Sequence, residues 1–320
     1  MSKPKAKFPE GFEAFVAEEI QPLFDAFKAA KSNSLKLIIK FGIIGGLAGA
    51  VAGFILFMVK PGIWPASVAL FFVCAGIGLI PGYVKLSKAK GKFSQNHISN
   101  VAKFLQLDHQ LTGFEPIQFE NFVELGLIAR GDRRSFSNLV SGTHAGTDFS
   151  IYHANIEEKR TRITTDSKGN TRTETYWVTV FNGKLLHSPY PRKFACTTII
   201  ARDQGWFNSK GRFGKSLKPM GLASPKFEKL FEVYTSDQVE GRFLVDPTFM
   251  VRLMELEDNN KDRQTIAAFF EQGIFVALQG GQEYFGNLND KATASSLATQ
   301  TVTAFLRVFD FLDALKGDKK

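Results

Sequence analysis

With 320 residues and 40 Lys and Arg against 31 Asp and Glu, the chain is long enough for one substantial core and basic enough to raise nucleic acid as a partner. Ten of those lysines lie between Asp25 and Asp108 with no acid or arginine among them. The rest of the chain holds 30 bases against 31 acids, so the net charge of +9 is no argument for nucleic-acid binding. Two cysteines, Cys74 and Cys196, rule out a disulfide framework.

The first element in chain order is an amphipathic helix over Phe8–Ala30, within an N-terminal segment 1–34. Phe12, Phe15, Val16, Ile20, Leu23, Phe24 and Phe27 recur at helical spacing, and Pro22 predicts a kink. Its polar face carries Glu10, Glu13, Glu18, Glu19 and Asp25, which anionic lipid would repel, so the expected contact is with protein.

Segment 35–84 predicts a transmembrane helical hairpin. Phe41–Val59 is an uncharged run of 19 residues, and Pro61–Val84 is a second uncharged run. A rise of ~1.5 Å per residue takes the first run across most of the ~30 Å hydrocarbon core. The connector, Lys60-Pro61-Gly62, is too short to hold a domain, so the two helices must be antiparallel neighbours. Four lysines precede the hairpin, five follow it and one lies in the turn, which predicts a multi-pass protein with both termini cytoplasmic. Gly45, Gly49 and Gly53 form a small-residue stripe one turn apart. It suits either packing of the hairpin on itself or a homo-oligomer. Neither span contains an acidic or basic side chain that would mark an ion pathway.

Segment 85–114 predicts a basic juxtamembrane helix whose lysines anchor at lipid headgroups. Segment 115–320 predicts a cytoplasmic domain that opens with strands and closes with helices, an α+β class with an antiparallel sheet and C-terminal helices. Asn138–Arg162 alternates around a turn at Gly142–Thr147, and Ile163–Phe181 folds back around a polar tip at 166–170. Asn182-Gly183 is the dipeptide preferred in type I′ turns, so Lys184–Leu186 should return antiparallel to Tyr176–Phe181. Ala195–Ala201 is apolar enough for a central strand. Ser224-Pro225, Ser236-Asp237 and Asp246-Pro247 each predict a helix start. Phe227, Leu230, Phe231 and Tyr234 are expected to form a helical stripe after the first of these, and Met250, Leu253 and Met254 after the third. A strand at Gly273–Leu278 and a long helix over Ala292–Leu315 complete the domain.

Three segments carry a resemblance: Leu139-Val-Ser-Gly-Thr-His-Ala-Gly-Thr-Asp-Phe149, Ala223-Ser-Pro-Lys-Phe-Glu-Lys-Leu-Phe-Glu-Val-Tyr-Thr-Ser-Asp-Gln-Val-Glu-Gly-Arg-Phe243 and Asp246-Pro-Thr-Phe-Met-Val-Arg-Leu-Met-Glu-Leu256. On these the chain resembles a bacterial membrane protein family of unknown function, domain of unknown function 3137. The resemblance implies attachment to the inner membrane and a partner of the LemA type. It supplies no catalytic residues.

The residues themselves offer no catalytic, cofactor or metal constellation. His144, His153 and His187 lack any ligand spacing, and Cys196 sits in the apolar run Phe194–Ile200, which predicts an inert thiol. Arg192–Lys218 holds seven bases against Asp203, interleaved with aromatics. It reads as a solvated loop with its aromatics tucked inward, as a contact with anionic headgroups, or as a single-strand nucleic-acid surface. Candidate lipid- or partner-contact residues are therefore Lys85, Lys88, Lys90, Lys92, Trp206, Lys210, Arg212, Phe213 and Lys215, with Gly45, Gly49 and Gly53 for helix packing. The functional expectation is a membrane-anchored cytoplasmic interaction or scaffold protein that contacts the lipid bilayer and needs neither cofactor nor nucleic acid. The alternative is a membrane-tethered enzyme whose site assembles only in three dimensions.

Overall fold

The computed structural model describes residues 8–59, 62, 64–165, 171–202, 213, 216–258, 264–280 and 292–316. Contacts divide the chain into two units, one spanning Pro9–Asn100 and Lys291–Ala298, the other mainly Val101–Asp290 and Thr299–Lys320.

The first unit is helical. After Gly11, which holds a positive φ of 79°, α1 (Phe12–Phe15) passes into a π-helical turn over Val16–Ile20 and then into α2 (Gln21–Val59). The Gln21 N–H closes that turn by donating to the Val16 carbonyl five residues back. A widened turn thus sits immediately before Pro22, where the missing N–H and the ring would disturb a regular ladder. Phe12, Phe15, Val16, Ile20 and Phe24 are buried.

The partner of α2 is α3 (Trp64–Phe104), which continues through Pro81. The two run antiparallel over their whole length. A Cβ built on Gly53 would lie 2.7 Å from the Ser67 carbonyl, on Gly49 2.8 Å from Phe71 Cα, on Gly45 2.5 Å from the Cys74 carbonyl and on Gly82 2.7 Å from the Ile38 nitrogen. Further along, Phe24 and Phe27 pack on Phe93 with centroids 6.0 and 5.1 Å away, and Asn100 donates to Glu19 at 3.3 Å. Neither 34/35 nor 84/85 interrupts a helix, since nothing at either junction breaks the backbone ladder. At 39 residues, α2 extends to about 58 Å, well beyond the ~30 Å of a hydrocarbon core.

Among the described residues, the second unit is built on a nine-stranded antiparallel sheet. Its strands are β1 (Asp108–Gln110), β2 (Arg133–His144), β3 (Thr147–Thr165), β4 (Thr171–Pro189), β5 (Thr198–Arg202), β6 (Lys218–Pro219), β7 (Phe231–Thr235), β8 (Thr265–Phe270) and β9 (Gly273–Gln279), in the order β1-β2-β3-β4-β9-β8-β5-β7-β6. The α+β class with its antiparallel sheet is therefore observed, and β5 is an interior strand between β8 and β7 that begins three residues after the start of the apolar run Ala195–Ala201.

Alternation gives the sheet two faces. Tyr152, Leu185, Phe275, Ala277, Ile199 and Ala268 line one face beneath α4 (Phe119–Glu124), whose Phe122 meets Phe275 at 5.3 Å. On the other face, cross-strand register aligns Ile151, Leu186, Val276, Ala267, Ile200 and Val233. There Phe249 of α7 (Pro247–Asp258) packs on Phe269 at 5.1 Å and on Phe311 of α8 (Ala294–Ala314) at 5.6 Å. Each such buried aromatic contributes about 1.5–3 kcal/mol.

The three expected helix starts are present. Ser224 accepts from the Phe227 N–H at the head of α5 (Pro225–Glu228), Asp237 from Val239 and Glu240 at 2.8 and 2.9 Å at the head of α6 (Gln238–Leu244), and Asp246 from Phe249 at 2.7 Å.

Two expectations are corrected. Asn182-Gly183 is no turn: β4 runs straight through it, with Asn182 opposite Asn155 and Gly183 opposite both Ala154 and Gln279. Glycine is needed there for close approach, because a Cβ would sit 2.2 Å from the Leu278 carbonyl. Phe231 and Tyr234 lie on β7, because α5 ends after a single turn at Glu228. The polar tip 166–170 lies outside the described residues.

Beyond Glu157 the β3–β4 pair leaves the sheet. Pairing of β2 with β3 ends at Arg133 opposite Glu157, and pairing of β9 with β4 ends at Gly183. Eight cross-strand pairs, from Glu158 opposite Val178 to Thr165 opposite Thr171, form a two-stranded ribbon about 27 Å long.

Candidate functional site

At one end of the sheet β5 leaves at Arg202, β8 enters at Thr265 and β9 leaves at Gln279. A polar row crosses the sheet near this end, on the face covered by α7 and α8. His153 stands opposite Lys184, Lys184 opposite Leu278, and Leu278 opposite Thr265. Glu257 of α7 closes the row by pairing with Arg202.

Lys184 is the most unusual member, fully buried in the middle of the sheet. Burial pushes its ammonium pKa down to about 7. Beside it, His153 is lowered to about 4 by burial and then by the nearby Lys184 charge. Its two ring nitrogens meet Asn182 at 2.8 Å and Ser137 at 3.4 Å. Burial also raises the Glu257 carboxyl, and the contacts with Thr265 and Arg202 offset only part of that. At neutral pH the row thus holds a neutral imidazole next to an amine close to its own midpoint. Handing the Lys184 proton to His153 is uphill, because the buried imidazole is much the weaker base. The Asn-Gly reading concealed Lys184, because a residue following a predicted turn is expected in solvent.

The three histidines are not brought together. His144 stacks on Phe309 at 4.2 Å and meets Asp313 at 3.2 Å near the surface. His187 tilts against Phe275 on the face opposite to His153, and burial lowers it to about 4. Among the described residues, no His, Cys, Asp or Glu cluster could hold a metal ion. Cys196 is buried, with its sulfur 3.4 Å from the Thr198 hydroxyl, and burial raises the thiol, which suits an inert side chain.

A cleft of about 310 Å³ lies at the opposite sheet edge, where Met220, Phe231, Val233, Glu228 and Glu232 line its wall. On the hairpin, an open apolar groove of about 470 Å³ follows Gly49, Gly53, Phe54, Ser67, Phe71 and Phe72.

Of the residues singled out by sequence, Lys85, Lys88, Lys90 and Lys92 are all exposed on α3. Gly45, Gly49 and Gly53 abut the α3 backbone of the same chain. Phe213 is half-buried and packs on Tyr234 at 5.5 Å, joining the core under α4. Trp206, Lys210, Arg212 and Lys215 lie outside the described residues.

Comparison with known proteins adds a family and a distant structure. Residues 179–316 match the family model of a protein of unknown function, DUF3137. The match includes the segments 223–243 and 246–256 on which the resemblance rests, while 139–149 lies before it. No curated protein matches the chain. One solved structure, the mycobacterial trehalose monomycolate transport factor A, TtfA, aligns with a TM-score of 0.36 at 10% identity, covering 68% of this chain and 94% of that one. A likeness of that size carries no argument about this chain.

Proposed function

We propose that this chain is a membrane-anchored interaction protein. In this reading α2 and α3 cross a bacterial inner membrane as a hairpin, and both termini and the sheet domain lie in the cytoplasm. One observation carries it. The most apolar 18-residue windows of the two helices have mean hydropathies of 2.2 and 2.0, yet each is only 11% buried. A core helix of equal hydropathy would be covered by protein, and side chains this apolar need a solvent other than water.

Lysine placement supports the orientation. Lys28, Lys31, Lys36 and Lys40 on α2 and Lys85, Lys88, Lys90 and Lys92 on α3 fall at the same end of the antiparallel pair. Tethering confines the domain to a thin layer, where weak contacts with lipid or with a membrane-protein partner become effective. A LemA-type partner follows from the family resemblance, and a homo-oligomer would need a surface other than the occupied glycine stripe. The tethered-enzyme alternative has less support, since neither described cleft of the sheet unit is lined by Lys184 or by a histidine.

Alkaline extraction of membranes together with a reporter fused after Lys320 tests the proposal. The expected result is retention in the pellet with a reporter active in the cytoplasm. Release by alkali would overturn the spanning hairpin, and a reporter active only outside the cytoplasm would overturn the orientation.

A further inference from the structure

The two long edges of the β3–β4 ribbon differ. On the β3 edge Asp132 fills the first place past β2. Its N–H donates to the Glu157 carbonyl at 2.9 Å, and its carboxylate accepts from the Lys159 N–H at 2.8 Å. Lys159, Arg160 and Arg162 follow there, and clustered cations discourage a further strand. The β4 edge has no comparable guard. From Thr171 to Phe181 no described strand pairs with it, since β9 stops at Gln279 opposite Gly183. Apart from Arg172 and Glu174, every residue from Thr171 to Val180 is Thr, Tyr, Trp or Val, the types that favour strands. A shallow depression of about 570 Å³ follows this edge, lined by Arg162, Arg172, Glu174 and Tyr176.

Both charges on that edge have bonding capacity left. Arg162 donates to Glu174 through Nε at 3.3 Å and Nη2 at 3.0 Å, but both bonds end on Oε2, and Oε1 accepts from no described residue. Arg172 makes no ion pair with any described carboxylate. The two side chains share a face of the ribbon about 7 Å apart along the strand. Now let a second copy run antiparallel along this edge, turned about a twofold axis through Thr173. Arg172 then falls opposite Glu174 of the second copy, twice by symmetry, and Thr171 falls opposite Thr175. An axis through Arg172 or through Glu174 would oppose like charges, and an axis through Thr175 would set Arg172 against Val178. We propose that the β4 edge pairs with the same edge of a second copy of this chain about Thr173, joining two ribbons into a four-stranded sheet. Charge complementarity selects that occupant, because the edge carries one cation and one acid spaced to answer each other only across a twofold axis. An isolated two-stranded ribbon is marginally stable in water, and the added strands remove that weakness. The inference goes beyond the membrane-anchored reading, since the edges would pair whether or not the hairpin crosses a bilayer.

The test uses the full chain in detergent micelles with Cys74→Ala, Cys196→Ala and Thr173→Cys. Paired Cα atoms of antiparallel strands lie ~4.5–5.5 Å apart, within reach of a disulfide, so mild oxidation should give a covalent dimer. Thr161→Cys on β3 would stand at least about 14 Å from its copy and should not crosslink. Arg172→Glu or Glu174→Arg, each added to the Thr173→Cys chain, makes both charge pairs repulsive. Either should weaken dimerisation on the order of tenfold, read as the chain concentration that gives half-maximal crosslinking. The Arg172→Glu chain offers two acids and the Glu174→Arg chain two cations, so a mixture should recover crosslinking as the heterodimer, resolved by tags of different length. That recovery also shows both variants to be folded. The inference is overturned if Thr173→Cys gives no dimer, if Thr161→Cys crosslinks equally, or if either charge variant dimerises alone as well as the parent. A mixture of protease-resistant variants that fails to recover overturns it too. So does a Thr173→Cys chain that crosslinks in native membranes only to another protein, which would give the edge to a foreign strand. Failure of the hairpin reading shows separately, as release of the chain from membranes by alkali.

Discussion

Lys184 shows how far one side chain's chemistry depends on the strand that carries it. Its pKa falls from the ordinary lysine value to about 7 because the folded state removes its ammonium from water. The unfolded chain therefore binds more protons than the folded one between about pH 7 and 10.5, and stability must rise with pH through that window. Chemical denaturation of the full chain in detergent should show this rise, on the order of a few kcal/mol. Lys184→Met, which keeps the volume and removes the charge, should flatten it while leaving the fold intact. Equal slopes in the two proteins would mean that the ammonium reaches solvent. His153 and His187, both lowered to about 4, add a second and separate loss of stability as pH falls from 6.5 toward 4.

At the scale of elements, turn chemistry and sheet geometry disagree in an instructive way. Asn182-Gly183 has the preferred type I′ residues and makes no turn, while the hairpin between β8 and β9 turns at Glu271-Gln272, where φ is 46° and 63°. Both residues occupy the left-handed region, which costs a residue other than glycine about 1–2 kcal/mol. The turn survives because long-range pairing on either side determines it, and because the Gln272 side chain both accepts from the Phe194 N–H and donates to its carbonyl. Glu271→Asn should therefore raise stability by roughly 0.5–1 kcal/mol, measured as a shift in denaturation midpoint. Gln272→Gly should give no such gain, since relief of φ is offset by loss of the bonds to Phe194. Where one turn sufficed, as at Ser224, Asp237 and Asp246, the local signal and the fold agree, because a cap needs only the next three residues to act.

For the whole molecule, charge is the informative quantity. Outside Asp25–Asp108 the chain is nearly neutral, so its overall +9 describes the lysine-bearing ends of two helices. Polyanion binding by the full chain in zwitterionic nanodiscs should be weak at physiological salt. A steep salt dependence with tight retention would instead require several phosphate contacts and point to nucleic acid.

The two long apolar helices and the helix caps were legible in the sequence because each depends on neighbours within a turn or two of the chain, or on composition over long uninterrupted runs. The strand at Phe231–Thr235 was not, since pairing of β7 with β5 overrides its helical spacing. The α+β class followed from the order of those elements. Only the tertiary structure decided that β4 passes through Asn182-Gly183, that Lys184 lies buried opposite His153, that His187 faces away from it, and that Glu257 joins Arg202 across some fifty residues. Strand register sets all of these, and register is a property of pairs of distant segments, invisible in either alone. The same register decides where β2 and β9 stop, and so leaves the ribbon of β3 and β4 uncovered.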